Sequence, residues 1–366
     1  MNIYKEFGLR EVINANGKMT ILGASAASGK IGDNVKNALQ NFVVIDELID
    51  YTGSVIAKKT GAEDGCPTCG AAAGIAISVA ASITGENLDY IERMPVSDGL
   101  KNEIIIQKGH VVNFGGNIAQ MIRLGGGKVV EAGCANKVEE DHIENLITDQ
   151  TAALFYVKSH HAVQKGMQSI ESMLRLAKKN KIPFIVDAAA EEDMEKYIRM
   201  GADLVIYSGG KALEGPTSGF ICGKRNLISA CKKQYKGIGR AMKVSKEAMA
   251  GLITALNNYD PSVSNGDLQK KKMERLCKIL NEVDGLTCHV AQDEAGREIY
   301  RAEIKIDESK TKISAVDLNN QLKKGNPAIY LREYYINQGI LSIDPRPLFE
   351  GQEEIIVEQI KKIIGG

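Results

Sequence analysis

This sequence predicts an α/β fold: a mostly parallel sheet flanked by helices, with a smaller C-terminal α/β domain. Three observations carry the expectation. Strand-type and helix-type patterns alternate from about residue 100 to 225, the rhythm of a parallel sheet covered on both faces. Four of the strand-like runs end in polar chemistry, at His110, Ser159-His160-His161, Asp187 and Ser208 to Lys211, and strand C-termini line the ligand crevice of such sheets. Beyond about residue 256 the pattern changes to a helix, strands and a closing helix. We expect an N-terminal arm over residues 1–30, a large domain over 31–255 and a small domain over 256–366.

The elements follow in order. Residues 1–30 are mixed and dotted with glycine. From Asp33 to about Lys59, apolar residues recur at helical spacing (Val35, Leu39, Phe42, Val43, Leu48). The stretch Gly61 to Gly70 reads as a turn of small residues that opens into a helix of Ala, Ile and Val. Such a helix start leaves backbone N–H groups uncovered and adds the positive end of the helix dipole, so it suits a phosphate; a tightly packed buried helix explains the alanines equally well. Strands are expected near 101–106, 128–132, 152–157, 183–187, 204–206 and 220–222, with helices between them. The basic run 224–260 reads as helical with a solvated face. Strands near 299–306 and 340–343 and a helix over 353–364 close the chain.

Composition bounds the function. Apolar residues make up 44% and charged residues 25%, as in ordinary globular proteins. Lys plus Arg and Asp plus Glu are both 46, and this balance argues against a general nucleic-acid surface. The N-terminus has no charged region followed by an apolar one, and no apolar run approaches the ~20 residues that span a bilayer. We expect a cytoplasmic protein without a membrane partner. The seven cysteines do not form a disulfide pattern. Cys66-Pro-Thr-Cys69 has the spacing of a redox dithiol or half a zinc site, but no second pair completes a metal cage, and we expect no metal.

The chemistry centres on Leu204 to Gly223, two apolar runs around Ser208-Gly-Gly-Lys211 and Gly215-Pro-Thr-Ser-Gly219. A lysine held at a glycine-rich turn beside low-dielectric strands can act as an amine nucleophile. One reading is a Schiff-base lysine carrying pyridoxal 5'-phosphate; a hairpin with an exposed lysine is the other. Asp187 ends a strand one strand–helix–strand step earlier, where a carboxylate would keep a pyridine nitrogen protonated. His110, at another strand end, could lie over the ring. The turn around Thr68, Cys69 and Gly70, with Ser208, would seat the phosphate. The ordered set carries more weight than any member.

The chain resembles fold type I pyridoxal-phosphate enzymes, and within them the selenocysteine synthase (L-seryl-tRNA selenium transferase) group. The resemblance spans nearly the whole length. It rests on Arg10-Glu-Val-Ile-Asn-Ala-Asn-Gly17, Gly70-Ala-Ala-Ala73, Lys108-Gly-His-Val-Val-Asn-Phe-Gly-Gly116, Pro183-Phe-Ile-Val-Asp187, Tyr207-Ser-Gly-Gly-Lys-Ala-Leu-Glu-Gly-Pro216, Arg240-Ala-Met-Lys-Val244 and Ile343-Asp-Pro-Arg346. It implies Lys211 as the Schiff-base lysine, Asp187 as the pyridinium partner, His110 as the ring-stacking residue and Arg346 as the clamp on a substrate carboxylate. Selenium transferases carry an additional N-terminal tRNA-binding domain, whereas this chain starts almost at the catalytic part. We therefore expect a small-molecule branch: a cytoplasmic, homodimeric or larger ammonia-lyase performing α,β-elimination on a phosphorylated amino-sugar acid. His160 or His161 would serve as general acid, and Arg240 and Lys243 would meet the substrate's phosphate. The alternatives are a selenium transferase acting on seryl-tRNA, another lyase or aldolase of hydroxy-amino acids, and a non-catalytic nucleotide-binding regulator.

Overall fold

The computed structural model describes residues 2–113, 115–159, 162–260, 266–293 and 298–365. The chain forms two compact units, Ser25–Pro261 and Met1–Ala24 with Ser262–Gly366. In chain order the strands are β1 (Val12–Ala15), β2 (Asp64–Thr68), β3 (Glu103–Gln107), β4 (Lys128–Ala132), β5 (Thr151–Val157) and β6 (Phe184–Asp187). They continue as β7 (Leu204–Ser208), β8 (Gly219–Gly223), β9 (Leu286–Gln292), β10 (Tyr300–Ile306), β11 (Ala328–Leu331) and β12 (Ile340–Ile343).

The unit Ser25–Pro261 holds a seven-stranded sheet in the order β2-β8-β7-β6-β5-β3-β4. Within it, β8 runs antiparallel to both β7 and β2, while β7, β6, β5, β3 and β4 are parallel. Each of β5 and β6 is buried along its full length, as a strand covered on both faces must be. Because side chains alternate across a strand, Val186, Val205, Tyr207 and Phe220 join one apolar cluster and Ile185, Leu204, Ile206 and Ile221 the other. The helix Ala71–Thr84, mostly Ala, Ile and Val, is buried through most of its length. Gly74 lets it lie against β7, since a Cβ there would stand 2.7 Å from Ile206 Cγ2.

Two sequence expectations change here. The helical pattern over 33–59 is two helices, Gly29–Leu39 and Ile45–Thr60. They break where the Asn41 side chain turns back to donate to the Asn37 carbonyl, 2.8 Å away, leaving Phe42 fully exposed. The turn expected around residues 61–70 contains β2. Pro67 has no N–H to give a ladder, and it is tolerated because β2 is an edge strand paired with β8 alone.

The other unit contains the antiparallel sheet β12-β10-β9 and the parallel pair β1-β11. The first residues, expected as an arm, thus carry a strand that pairs Val12–Ala15 with Ala328–Leu331. The helices Gly266–Leu280, Ala315–Lys324 and Gln352–Gly365 supply Met273, Leu276, Leu318, Leu322, Ile356 and Ile360 to this unit's core. No helix among the described residues is long and apolar enough to cross a membrane.

Candidate active site

The parallel strands β2, β3, β5, β6 and β7 end on one edge of the seven-stranded sheet, and the chemistry expected from the sequence sits there. Thr68 ends β2, His110 closes the short turn after β3, Asp187 ends β6 and Ser208 ends β7. Ten residues join β7 to β8, and their backbone folds tightly. Gly209 N–H donates to the Ser218 carbonyl (2.8 Å), Gly215 N–H to the Gly209 carbonyl (2.8 Å) and Glu214 N–H to the Lys211 carbonyl (3.2 Å). A Cβ on Gly209 would come within 2.1 Å of Ser218 Oγ, so glycine is required for this closure.

Asp187 and Lys211 are both largely shielded from water and act on each other's charge. Burial pushes the Asp187 carboxyl up to about 6, while the Lys211 charge and the Ala189 N–H pull it down; that N–H donates to Oδ1 at 3.1 Å. Burial lowers the pKa of Lys211, and the Asp187 charge opposes the shift. A low-dielectric site that destabilises both charges, with each partner sustaining the other, is a feature of functional sites.

His110 is fully buried. Its Nδ1 accepts from Val157 N–H at 3.3 Å, and its ring meets Tyr156 edge-on at 4.4 Å between centroids. Burial drives the imidazole down to about 4, so it is neutral at physiological pH. The buried Nε2 has no hydrogen-bond partner among the described residues. Tyr156 is a neighbour that the sequence reading passed over, because inside the apolar run of β5 it reads as core.

The small-residue turn is organised as an anion seat. Thr68 Oγ1 donates to the Gly70 carbonyl at 2.9 Å, and Gly70 caps the helix Ala71–Thr84 with no side-chain hydrogen bond. Gly74 N–H bonds back to the Gly70 carbonyl, so the N–H groups of the first turn are left for other acceptors. Gly219 of β8 lets that turn come close: a Cβ there would stand 2.7 Å from Gly70 C and 2.9 Å from Ala71 N. Cys69 lies in the same turn, half-buried, its thiol pushed up by burial. Cys66 is fully buried in β2, and burial pushes it up to about 12, which suits a packed thiol rather than a thiolate ligand.

The remaining expected residues fall elsewhere. Arg240 and Lys243 are exposed, in the segment that precedes the helix Lys246–Asn258. His160 and His161 lie outside the described residues. Arg346 belongs to the other unit, where its Nε and Nη2 donate to Asp344 Oδ1 (2.9 Å) and Oδ2 (2.7 Å). Asp344 also accepts from Arg301 Nε at 3.0 Å. Its burial would raise the carboxyl, but Arg346 and Arg301 hold it well below the usual carboxylate range. Beside them stands Arg332, which the sequence reading missed. It is half-buried, its pKa lowered by burial and by Arg301, and its guanidinium faces the Tyr334 ring at 5.9 Å without a carboxylate bonded to it among the described residues. A half-buried cation of this kind is suited to an anionic ligand.

The family model SelA, L-seryl-tRNA selenium transferase, matches residues 49–323. The chain is 45% identical over 362 residues to a D-glucosaminate-6-phosphate ammonia lyase of Salmonella typhimurium (strain 14028s / SGSC 2262), covering 99% of this chain and 98% of that one. It is 39% identical over 365 residues to a 5'-C-glycyluridine monooxygenase-decarboxylase of a Streptomyces species, covering 99% and 92%. A solved structure of D-glucosaminate-6-phosphate ammonia-lyase superposes with a TM-score of 0.93 at 45% identity, covering 100% of this chain and 98% of that chain.

Proposed function

The chain belongs to the L-seryl-tRNA selenium transferase family, and from that premise we propose that it is an ammonia-lyase. It would convert D-glucosaminate 6-phosphate to 2-keto-3-deoxy-6-phosphogluconate and ammonia. Its architecture is that of the fold type I pyridoxal-phosphate enzymes. One observation carries the chemistry: a lysine in the tight connection after β7, whose protonation burial disfavours, is coupled to a buried carboxylate at the end of the adjacent strand β6. The substrate assignment is supported by the 45% identity to the Salmonella enzyme across nearly the full length of both chains.

The residues fit the family's cofactor, pyridoxal phosphate. An amine, a carboxylate, a buried neutral imidazole with an unmatched nitrogen and an uncapped helix start are gathered on one sheet edge. Lys211 would hold the cofactor's carbonyl carbon, Asp187 its ring nitrogen, and the Thr68–Gly70 turn with Ser208 its phosphate. When bound, the group supplies an electron sink for the charge left on the substrate's α-carbon.

The protein's own groups supply the proton transfers and the positioning. Burial shifts Lys211 toward the neutral form, the form in which it can accept the α-proton. Asp187 keeps its negative charge at neutral pH, because its carboxyl titrates about 6, and a fixed charge in a dry site costs no reorganisation during reaction. His110 packs as a flat neutral face. Arg346 and Arg332 are proposed to recognise substrate oxyanions, and Arg240 and Lys243 to meet the substrate's phosphate. His160 or His161 is proposed as the acid that assists departure of the β-hydroxyl.

We place this activity in a homodimer or larger homo-oligomer in the cytoplasm. The exposed apolar stretch Leu39, Phe42, Val43, Val44 and Ile45 supports self-association, and a monomer in sedimentation would remove that part of the reading. The test of function is ammonia and keto-acid release from D-glucosaminate 6-phosphate without oxygen. Oxygen-dependent decarboxylation of a glycyl-nucleoside, or turnover of seryl-tRNA, with no elimination would overturn it.

A further inference from the structure

The unit containing the C-terminal residues holds a second chemically distinctive pair. Cys277 lies in the last turn of the helix Gly266–Leu280, and Cys288 is the third residue of β9. Both are 5% exposed, and their Sγ atoms stand 2.8 Å apart, well inside the contact distance of two unbonded sulfurs. Neither belongs to a Cys-x-x-Cys motif, and both are free thiols.

The surrounding backbone fixes this approach. Asn281, just past the helix end, binds both backbone groups of Cys288: Cys288 N–H donates to Oδ1 at 2.6 Å, and Nδ2 donates to the Cys288 carbonyl at 2.9 Å. Asn281 N–H in turn donates to the Cys277 carbonyl at 2.9 Å. One asparagine therefore holds the helix end and the strand start in register. Cys288 points inward beside Leu286, while Thr287 between them faces solvent, so the alternation of β9 aims the thiol at the helix. The Cys288 thiol donates to Cys277 Sγ, which favours the thiolate on Cys277 and lowers its pKa.

We propose that Cys277 and Cys288 form a redox-active dithiol that a two-electron oxidant of the peroxide class closes into a disulfide. Cys277 thiolate attacks one peroxide oxygen, breaking the O–O bond and forming a sulfenic acid while the other oxygen leaves as water. Cys288 sulfur then attacks the Cys277 sulfur, forming the S–S bond and expelling the second oxygen as water. Two thiols are oxidised and one peroxide is reduced to two waters. A disulfide requires about 2.05 Å between the sulfurs, so each needs to move only a few tenths of an ångström. The link would fasten the helix Gly266–Leu280 to β9, and a cross-link of this kind stabilises a fold by restricting its unfolded chain.

The test uses the full-length protein. After brief hydrogen peroxide treatment and denaturation, the free-thiol count should fall by two from seven, and a peptide map should join Cys277 to Cys288. The Tm should rise and should return to its starting value on adding dithiothreitol. Cys277→Ser and, separately, Cys288→Ala should keep their full remaining thiol count and show no reversible Tm shift. The proposal is overturned if Cys277 and Cys288 both alkylate completely after oxidation, or if reactivity follows exposure and modifies Cys134, the exposed cysteine, while this pair stays reduced.

Discussion

Burial works against the charges of both Asp187 and Lys211, and each opposes that effect on the other: the acid is pushed up by desolvation and drawn back by the lysine, and the lysine is pushed down and drawn back by the acid. Asp187 ends β6, and Lys211 stands three residues beyond the end of the neighbouring strand β7, so the paired strands and the tight β7–β8 connection bring them to one edge of the sheet.

This coupling has a pH signature. The Asp187 carboxyl titrates about 6 in the fold against 3.8 unperturbed. The folded state therefore binds its proton more tightly, and the associated stability is complete below about pH 4 and lost as the pH rises through about 6. Over that window the cofactor-free protein should lose up to about 3 kcal/mol relative to Asp187→Asn. Urea unfolding of both proteins at pH 4, 5.5 and 7.5 measures the difference. A gap that does not change with pH would mean that Asp187 titrates normally.

His110, proposed to lie over the cofactor's ring, is neutral and buried, and that role can be separated from its hydrogen bond. His110→Ala should weaken pyridoxal phosphate binding about tenfold, the scale of one lost aromatic contact. His110→Phe, which keeps a ring, should recover most of that affinity. Cofactor titration followed by absorbance reads both variants, and equal losses would assign His110 to packing alone.

In the other unit, Asp344 anchors Arg301 and Arg346, whereas Arg332 has no carboxylate bonded to it among the described residues. Asp344→Asn should destabilise the protein by about 1.5–3 kcal/mol, because it weakens the charge-assisted bonds from Arg301 and Arg346 to one buried carboxylate, while Arg301 keeps its bond to Asp293. Arg332→Met should act in the opposite sense on stability, leaving it equal or higher, while raising KM for the anionic substrate at least tenfold. Calorimetry and steady-state kinetics on the two variants test the contrast. A destabilised Arg332→Met with unchanged KM would make Arg332 a structural residue.

How much of this was legible in the sequence depended on how local each signal was. Lys211, Asp187 and His110 were readable because each ends an apolar run, and a parallel sheet brings such ends to one edge. The strand β2 was not, since Gly65 and Pro67 read as a turn and only pairing with β8 turns them into an edge strand. Arg332 was missed because Leu331-Arg-Glu333 looks like an ordinary strand end; its partial burial and the nearby charges of Arg301, Asp344 and Arg346 that make it distinctive arise only in the fold. Cys277 and Cys288 were invisible for the same reason. No spacing rule links the last turn of a helix to the inward face of the following strand.

The most direct measurement traps the cofactor's attachment. Protein loaded with pyridoxal phosphate, reduced with borohydride and mapped by peptide mass spectrometry should carry one phosphopyridoxyl group, on Lys211. Lys211→Ala should carry no such group, show no visible absorbance from bound cofactor and release no keto acid. A label on another lysine, or full turnover by Lys211→Ala, would contradict the account.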